Sequence, residues 1–469
     1  MDTSHNNNKV NKNYILLIVI IASFLTPFIG SSLNIALPTI ANELSANAIL
    51  LSWITTSFFL TSAMFALPMG RIADIYGMKK VFRYGIIILT LACFLSAIAP
   101  SVDFLIVSRV IQGIGSAMIF VTGLAIIISV FPSSERGKAI GINVTTVYLG
   151  LVIGPVLGGF LTQYFGWRSI FYLMIFMGFM LTILIFWKMN EVEDGERGSE
   201  KIDYPGSLLY MLMLALILIG FSNIKGTFGK FMIMLGILSL ISFIIWELRV
   251  ENPVLEIKMF MGNKPFVLSN FTIILNYMGI LSIGFLLSLY LQYIKGFNPN
   301  ITGLILAVQT VVMVLTSPVA GKLSDRFDSG RLALFGTILI TIGLFIFTLL
   351  NMETSVYLLI VGLIFVGIGI GLFSAPNTHL IMSSVEKRYF GLASASASTM
   401  RLLGQTFGMG FTLIIFEVYL GKIQFNPQNY PELLISTRVA FLIFTILGVA
   451  AILISLLRNI LNKINKQTI

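Results

Sequence analysis

The chain has 469 residues, of which 57% are hydrophobic and only 11% charged, against about 25% charged residues in an ordinary soluble protein. So little charge cannot cover a soluble surface, which excludes a compact soluble enzyme, a disordered chain and a collagen-like repeat. One cysteine, Cys93, and two histidines, His5 and His379, exclude an internal disulfide framework and thiolate or imidazole metal clusters, so no metal or cofactor is expected.

A bilayer core of about 30 Å needs about 20 apolar residues per helix. Stretches free of Asp, Glu, Lys and Arg predict fourteen spans, at 14–37, 51–69, 84–99, 104–130, 139–163, 169–187, 205–224, 231–246, 265–291, 301–320, 332–350, 356–378, 390–416 and 439–457. Within these limits the charged residues are Arg109 and Arg401. Residues 1–13 and 459–469 read as short tails. The stretch from Tyr14 is too long for a cleaved signal peptide and is read as the first span.

The loops set orientation, because cytoplasmic loops retain Lys and Arg. With both termini inside, 22 of the 30 Lys+Arg fall in cytoplasmic segments, 6 outside and 2 within spans. The formal net charge of +10 is therefore a topology signal, and nucleic-acid binding is excluded as its meaning. The expected location is the cell membrane, multi-pass, with both termini cytoplasmic, in a protein working as a monomer.

The chain also repeats itself. Gly70-Arg71-Ile72-Ala73-Asp74 follows the second span and returns 251 residues later as Gly321-Lys322-Leu323-Ser324-Asp325. Gly113 and Gly115 return as Gly367 and Gly369, and Gly150 and Gly154 as Gly404 and Gly408, all offset by 254. Two parallel six-span halves follow, with an extra pair of spans between them. This divides the chain into a bundle over 14–188, an inserted pair with its linkers over 189–264, and a second bundle over 265–458. Parallel six-span halves facing a midplane site are a transporter architecture.

Individual residues then gain meaning. Gly70, Arg71, Asp74, Gly77 and Lys79, with Gly321, Asp325 and Arg326 in the second copy, combine turn-forming glycines with opposite charges. Such a loop can tie neighbouring helices together in one state of a cycle. Gly150, Gly154, Gly158 and Gly159 with Pro155 line a helix with small residues for close approach. Arg109 costs about 2.5–3.5 kcal/mol inside a span and needs a cavity or a partner; Gln112 lies one turn away. Arg401, nearer the cytoplasmic side, has snorkelling as an equal explanation. Asn34, Asn143, Asn276, Gln309, Asn377 and Gln405 are polar positions that hydrocarbon penalises unless they face a cavity or each other.

These motifs, with Asp203-Tyr204-Pro205-Gly206 entering the inserted pair and Trp246-Glu247-Leu248-Arg249 leaving it, resemble the fourteen-span drug/proton antiporter family of the major facilitator superfamily. The resemblance implies an all-α polytopic membrane protein of the major facilitator fold, two six-helix bundles plus two inserted central helices. It implies a secondary exporter of small amphipathic compounds, alternating access and proton antiport. It gives Arg109 a part in proton or substrate handling and points to Glu417, late in span thirteen, for coupling. Asn34-Ile-Ala-Leu-Pro38 matches a first-span pattern, but the family's acid five residues earlier is Ile29 here, and no span interior contains an acid. A cavity holding Arg109 and no acid is expected to favour neutral or anionic compounds. An importer or exporter of one specific metabolite is the alternative on the same fold. No Gly-x-x-x-x-Gly-Lys-Ser/Thr pattern occurs, and no convergent set of catalytic groups points to an enzyme.

Overall fold

A computed structural model describes residues 12–189, 202–324, 326–386 and 389–467. Fourteen of the described helices are long and apolar enough to cross a membrane. The first bundle holds α1 (Lys12–Leu44), α2 (Ala48–Tyr76), α3 (Met78–Ala97), α4 (Val102–Val130), α5 (Ser133–Phe165) and α6 (Arg168–Lys188). The inserted pair is α7 (Tyr204–Phe221) and α8 (Thr227–Glu247). The second bundle holds α9 (Lys264–Leu289), α10 (Pro299–Ser324), α11 (Ser329–Thr348), α12 (Val356–Ser383), α13 (Phe390–Tyr419) and α14 (Tyr430–Gln467). Fourteen crossings leave both chain ends on one side, called here the terminal face, opposite the far face.

The helices overrun the apolar stretches at their charged ends. The segment expected as a loop over 70–80 is instead the last turns of α2, the single residue Gly77 and the start of α3. Gly77 has φ 104°, where a side chain would be strained, so the turn fits in one residue. Gly70 lies inside α2 rather than at a turn, with open space around it. Asp325 and residues 190–201 lie outside the described residues, as do residues 1–11 of the first tail and 468–469 of the last.

The repeat is a repeat of contacts. A Cβ on Gly113 would stand 2.6 Å from the Phe58 carbonyl of α2, and one on Gly115 would stand 2.7 Å from the Gly85 carbonyl of α3. In the second bundle, Gly367 meets the Gln309 carbonyl of α10 at 2.6 Å and Gly369 the Gly336 carbonyl of α11 at 2.7 Å. Gly150 against the Phe24 carbonyl and Gly404 against the Ile274 carbonyl, both 2.7 Å, repeat the α1–α5 contact as α9–α13. Apolar association gains nothing from the hydrophobic effect inside lipid, so close backbone approach is what joins spans.

The inserted pair touches both bundles through α7. The Tyr210 hydroxyl donates to the Ala63 carbonyl of α2 at 3.1 Å, and Phe221 packs on Phe411 of α13 with centroids 5.9 Å apart.

Gly115→Val forces side-chain atoms against the α3 backbone and is expected to destabilise the protein by about 1–3 kcal/mol. Gly137, in the first turns of α5 with open space around it, is expected to accept Ala with a gain of about 0.4–1 kcal/mol. Thermal unfolding of both variants in one detergent checks the pair, and equal melting temperatures would contradict it.

Candidate transport pathway

The two bundles are joined by hydrogen bonds from mid-depth outward to the far face. The Thr406 hydroxyl of α13 donates to the Phe59 carbonyl of α2 at 3.2 Å. Ser288 of α9 donates to the Asn34 carbonyl of α1 at 2.7 Å, and Gln292 to the Ile35 carbonyl at 2.9 Å. Nearer the surface, Gln424 donates to the Ser45 carbonyl at 3.1 Å, and the Ala48 N–H to the Ile423 carbonyl at 3.1 Å. Several of the acceptors are backbone carbonyls in α1 and α2, so the seam closes through helix backbones.

On the terminal side of this seam, at about mid-depth, polar groups from both bundles converge. The Arg401 guanidinium of α13 lies over the Tyr277 ring of α9, 5.2 Å from its centroid. Its Nε is buried without a hydrogen-bond partner. Tyr148 of α5 faces the same guanidinium, with Ser317 of α10 and Ser374 of α12 beside its hydroxyl. Arg401 therefore turns inward between the bundles, not outward to the membrane surface, and offers an uncommitted N–H next to the Tyr277 ring, with Tyr148 within electrostatic reach. Tyr148, Tyr277, Ser317 and Ser374 escape a sequence reading because aromatic and hydroxyl residues are ordinary in spans, and each becomes distinctive only beside Arg401.

Arg109 occupies a different setting. It is 1% exposed, donates through Nε to the Ile54 carbonyl at 3.1 Å and through Nη1 to Gln112 Oε1, and lies 4.2 Å from the Phe58 ring centroid. Gln112 passes the network on, donating to Ser96 at 2.9 Å. Arg109 has partners rather than a cavity, and it locks α2, α3 and α4 together.

Asn34 is 5% exposed; its side chain accepts from the Thr55 hydroxyl at 3.2 Å within the first bundle, while its carbonyl, accepting from Ser288, puts it at the seam between bundles. Glu417 is half-buried near the far-face end of α13, well away from Arg401. Gly154 and Gly158 press on Ser31 and Ser32 of α1. Gly159 crosses to the second bundle, where a Cβ would stand 2.5 Å from the Pro299 carbonyl, and Gly303 of α10 presses back on the Pro155 carbonyl.

At the terminal face, Arg71 donates to the Pro253 carbonyl at 2.6 Å, tying α2 to the segment after α8. Asp74 is exposed, Lys79 is half-buried in the first turn of α3, and Gly321 has open space around it. Arg326 follows α10 in a turn before Asp328 caps α11.

A third interior cation exists. Arg458, expected as the edge of the last span, is 0% exposed because α14 continues to Gln467. It donates to Asn377 Oδ1 of α12 at 2.8 Å, with the Ser269 hydroxyl and Gly330 carbonyl each at 3.4 Å. The polar Asn377 in an apolar span was the sequence signal for such a partner.

Comparison with known proteins gives this geometry a family. The Major Facilitator Superfamily model matches residues 19–262 and 269–466. The chain is 33% identical over 423 residues to the riboflavin transporter RibZ of Clostridioides difficile (strain 630), covering 89% of this chain and 91% of that one. It is 29% identical over 398 residues to the multidrug resistance protein Stp of Mycobacterium tuberculosis (strain CDC 1551 / Oshkosh), covering 82% of this chain and 72% of that protein. The fold is similar to the xylose transporter XylE from E. coli in a partially occluded inward open conformation, with a TM-score of 0.64 and 14% identity over 94% of this chain and 96% of that one. The chain belongs to the Major Facilitator Superfamily, within its fourteen-span drug-efflux branch, whose members are membrane transporters of small molecules that work by alternating access and are not enzymes.

Proposed function

We propose that this transporter exports small amphipathic compounds, neutral or anionic, across the cell membrane in exchange for protons, as a monomer with both termini cytoplasmic. The observation that carries the substrate class is Arg401 beside Tyr148 and Tyr277, with its Nε unpaired. A half-buried guanidinium whose Nε is buried without a partner is costly, and a substrate carboxylate, phosphate or polarised carbonyl would relieve that cost. The acids of the bundle helices support the same reading, since Glu43, Asp74, Asp103, Glu135, Glu417 and Glu432 all stand in end turns. A lipophilic cation would find no carboxylate at mid-depth.

The positive-inside distribution of Lys and Arg supports the orientation. With the terminal face cytoplasmic, the seam closed at the far face shuts the external side of the pathway in this conformer, as loading from the cytoplasm requires. The residues Gly70, Arg71, Asp74, Gly77, Lys79, Gly321, Asp325 and Arg326 then serve as the gate that must rearrange, and Gly150 to Gly159 as the helix contact that stays packed while the bundles rock. Arg109 and Gln112 position α2, from which Asn34 and the seam take their register. Glu417 is the coupling acid nearest the external exit.

A second reading is transport of one heteroaromatic metabolite. The 33% identity to a riboflavin transporter favours it, and a tyrosine ring against a guanidinium, with a second tyrosine nearby, suits a planar, electron-poor ring system.

Uptake into inverted vesicles, with cationic, neutral and anionic compounds and riboflavin under an imposed pH gradient, tests both. Anionic or neutral aromatic compounds are expected to accumulate, and Arg401→Gln is expected to slow them about 10-fold or more, the worth of one charge-assisted hydrogen bond. Strong export of a lipophilic cation with no movement of anions would refute the substrate class.

Arg109→Ala is expected to act differently. It strips the donor from buried Gln112 Oε1, at about 1–3 kcal/mol for an orphaned group, and empties the space against the Phe58 ring, so it should lower the melting temperature, whereas Arg401→Gln should leave it within a degree or two. A stable but transport-dead Arg109→Ala protein would place Arg109 in the pathway itself.

A further inference from the structure

Two acids lie buried at the terminal-face end of the inserted pair, just outside the stretches that an apolar-span count examines. Asp203 caps α7, and its Oδ1 accepts from the Gly206 N–H and from the Trp246 indole N–H, both at 2.9 Å. Glu247 ends α8, and its Oε2 accepts from the Leu255 N–H at 3.0 Å. The residues are 6% and 1% exposed. In each, the second oxygen, Asp203 Oδ2 and Glu247 Oε1, is buried without a hydrogen-bond partner. Both of these oxygens crowd one spot, the place a Cβ on Gly206 would take, so they are less than about 5 Å apart. Glycine at 206 is what leaves room for them.

Two carboxylates this close and this dry repel one another when both are charged, and a proton held between them relieves the repulsion. A single proton also turns one of the two orphan acceptors into a donor, with the other orphan oxygen close by. We propose that Asp203 and Glu247 together form a proton-binding site, holding one proton between them in this conformer and releasing it to water at the terminal face.

Arg71 connects the site to the gate. Anchored on the Pro253 carbonyl at 2.6 Å, it faces Glu247 from the end of α2, and among the described residues the charged groups acting on Glu247 are Asp203 and Arg71. If the guanidinium moved from Pro253 onto the carboxyls, it would replace the proton as their partner. If it withdrew, the proton would return. Because α7 packs on α2 and α13 at the seam between bundles, relative motion of the bundles changes the distance from Arg71 to the pair. Occupancy of the site by a proton or by Arg71 is thus tied to the position of α2. This consequence rests on the alternating-access cycle, while the proton site does not.

Infrared difference spectroscopy of the full-length protein in lipid nanodiscs, titrated from pH 4 to pH 9, tests the site without transport. Wild type is expected to show one carboxylic-acid C=O band that persists at pH 7. Asp203→Asn and Glu247→Gln, which keep the capping acceptors and add an amide that can donate to the remaining carboxylate, are each expected to lose that band at pH 7, with melting curves confirming the fold. Arg71→Gln is expected to hold the band to higher pH, by about one unit. Absence of the band in wild type, or its survival in both acid variants, overturns the proposal. Displacement of the band by Na⁺ or Mg²⁺ at constant pH would assign the pair to a cation instead, which also overturns it. An unshifted titration in Arg71→Gln overturns the link to the gate. Vesicle transport driven by a gradient other than protons would refute proton antiport while leaving the band intact, so the two failures are distinguishable.

Discussion

The architecture depends on the contact of one helix backbone with another at a glycine. Lipid removes the hydrophobic reward for bringing two spans together, so association relies on dispersion and on weak contacts that require backbones to approach closely. Gly113 and Gly115 wedge α4 between α2 and α3, and Gly367 and Gly369 do the same for α12 between α10 and α11. Gly159 and Gly303 use the same device across the bundle interface, against Pro299 and Pro155. The contact that holds each bundle rigid is therefore also the contact about which the bundles meet, and helices so joined can pivot while making and breaking few polar bonds.

On this symmetric frame the charges are placed without symmetry. Moving Arg109 and Gln112 forward by the repeat offset of 254 reaches Leu363 and Val366, both apolar, so the polar lock of the first bundle has no copy in the second. The second bundle instead carries Arg458 on Asn377 at its terminal-face end, and Arg401 between the bundles. Arg109 and Arg458 have their hydrogen-bonding needs met by neighbours in one bundle; Arg401 has a bare Nε. The difference bears on what each can do: a satisfied interior cation can hold helices together, and an unsatisfied one has an N–H left to give.

Much of this was legible in the sequence, for stated reasons. Span number and the two-bundle division follow from where apolar runs stop and from glycine offsets, both one-dimensional facts. The segment over 70–80 was legible as a motif but not in shape, because charge at 71–80 reads as a loop while the helices of α2 and α3 run through it, broken only at Gly77. Arg401 was visible as an interior charge, yet its direction depended on Tyr277 and Tyr148, 124 and 253 residues away in the chain. Arg458 was lost at a span boundary, since a window that ends at the first charge counts that charge as outside.

The same windowing concealed Asp203 and Glu247, and the reason is physical. A residue at the end of a span is assigned to water by default, and most such residues are wet. Here the inserted pair folds its two terminal-face ends against each other, so that the cap of α7 and the last residue of α8 are covered by Trp246, the segment around Leu255 and the end of α2. Burial is thus created by tertiary contact at a depth where the bilayer alone would not impose it. A transporter whose mid-depth polar groups between the bundles include a cation and, among the described residues, no acid can still carry buried carboxyls, provided they are dried by protein rather than by lipid, and the one part of the chain absent from the repeat is where this protein dries them.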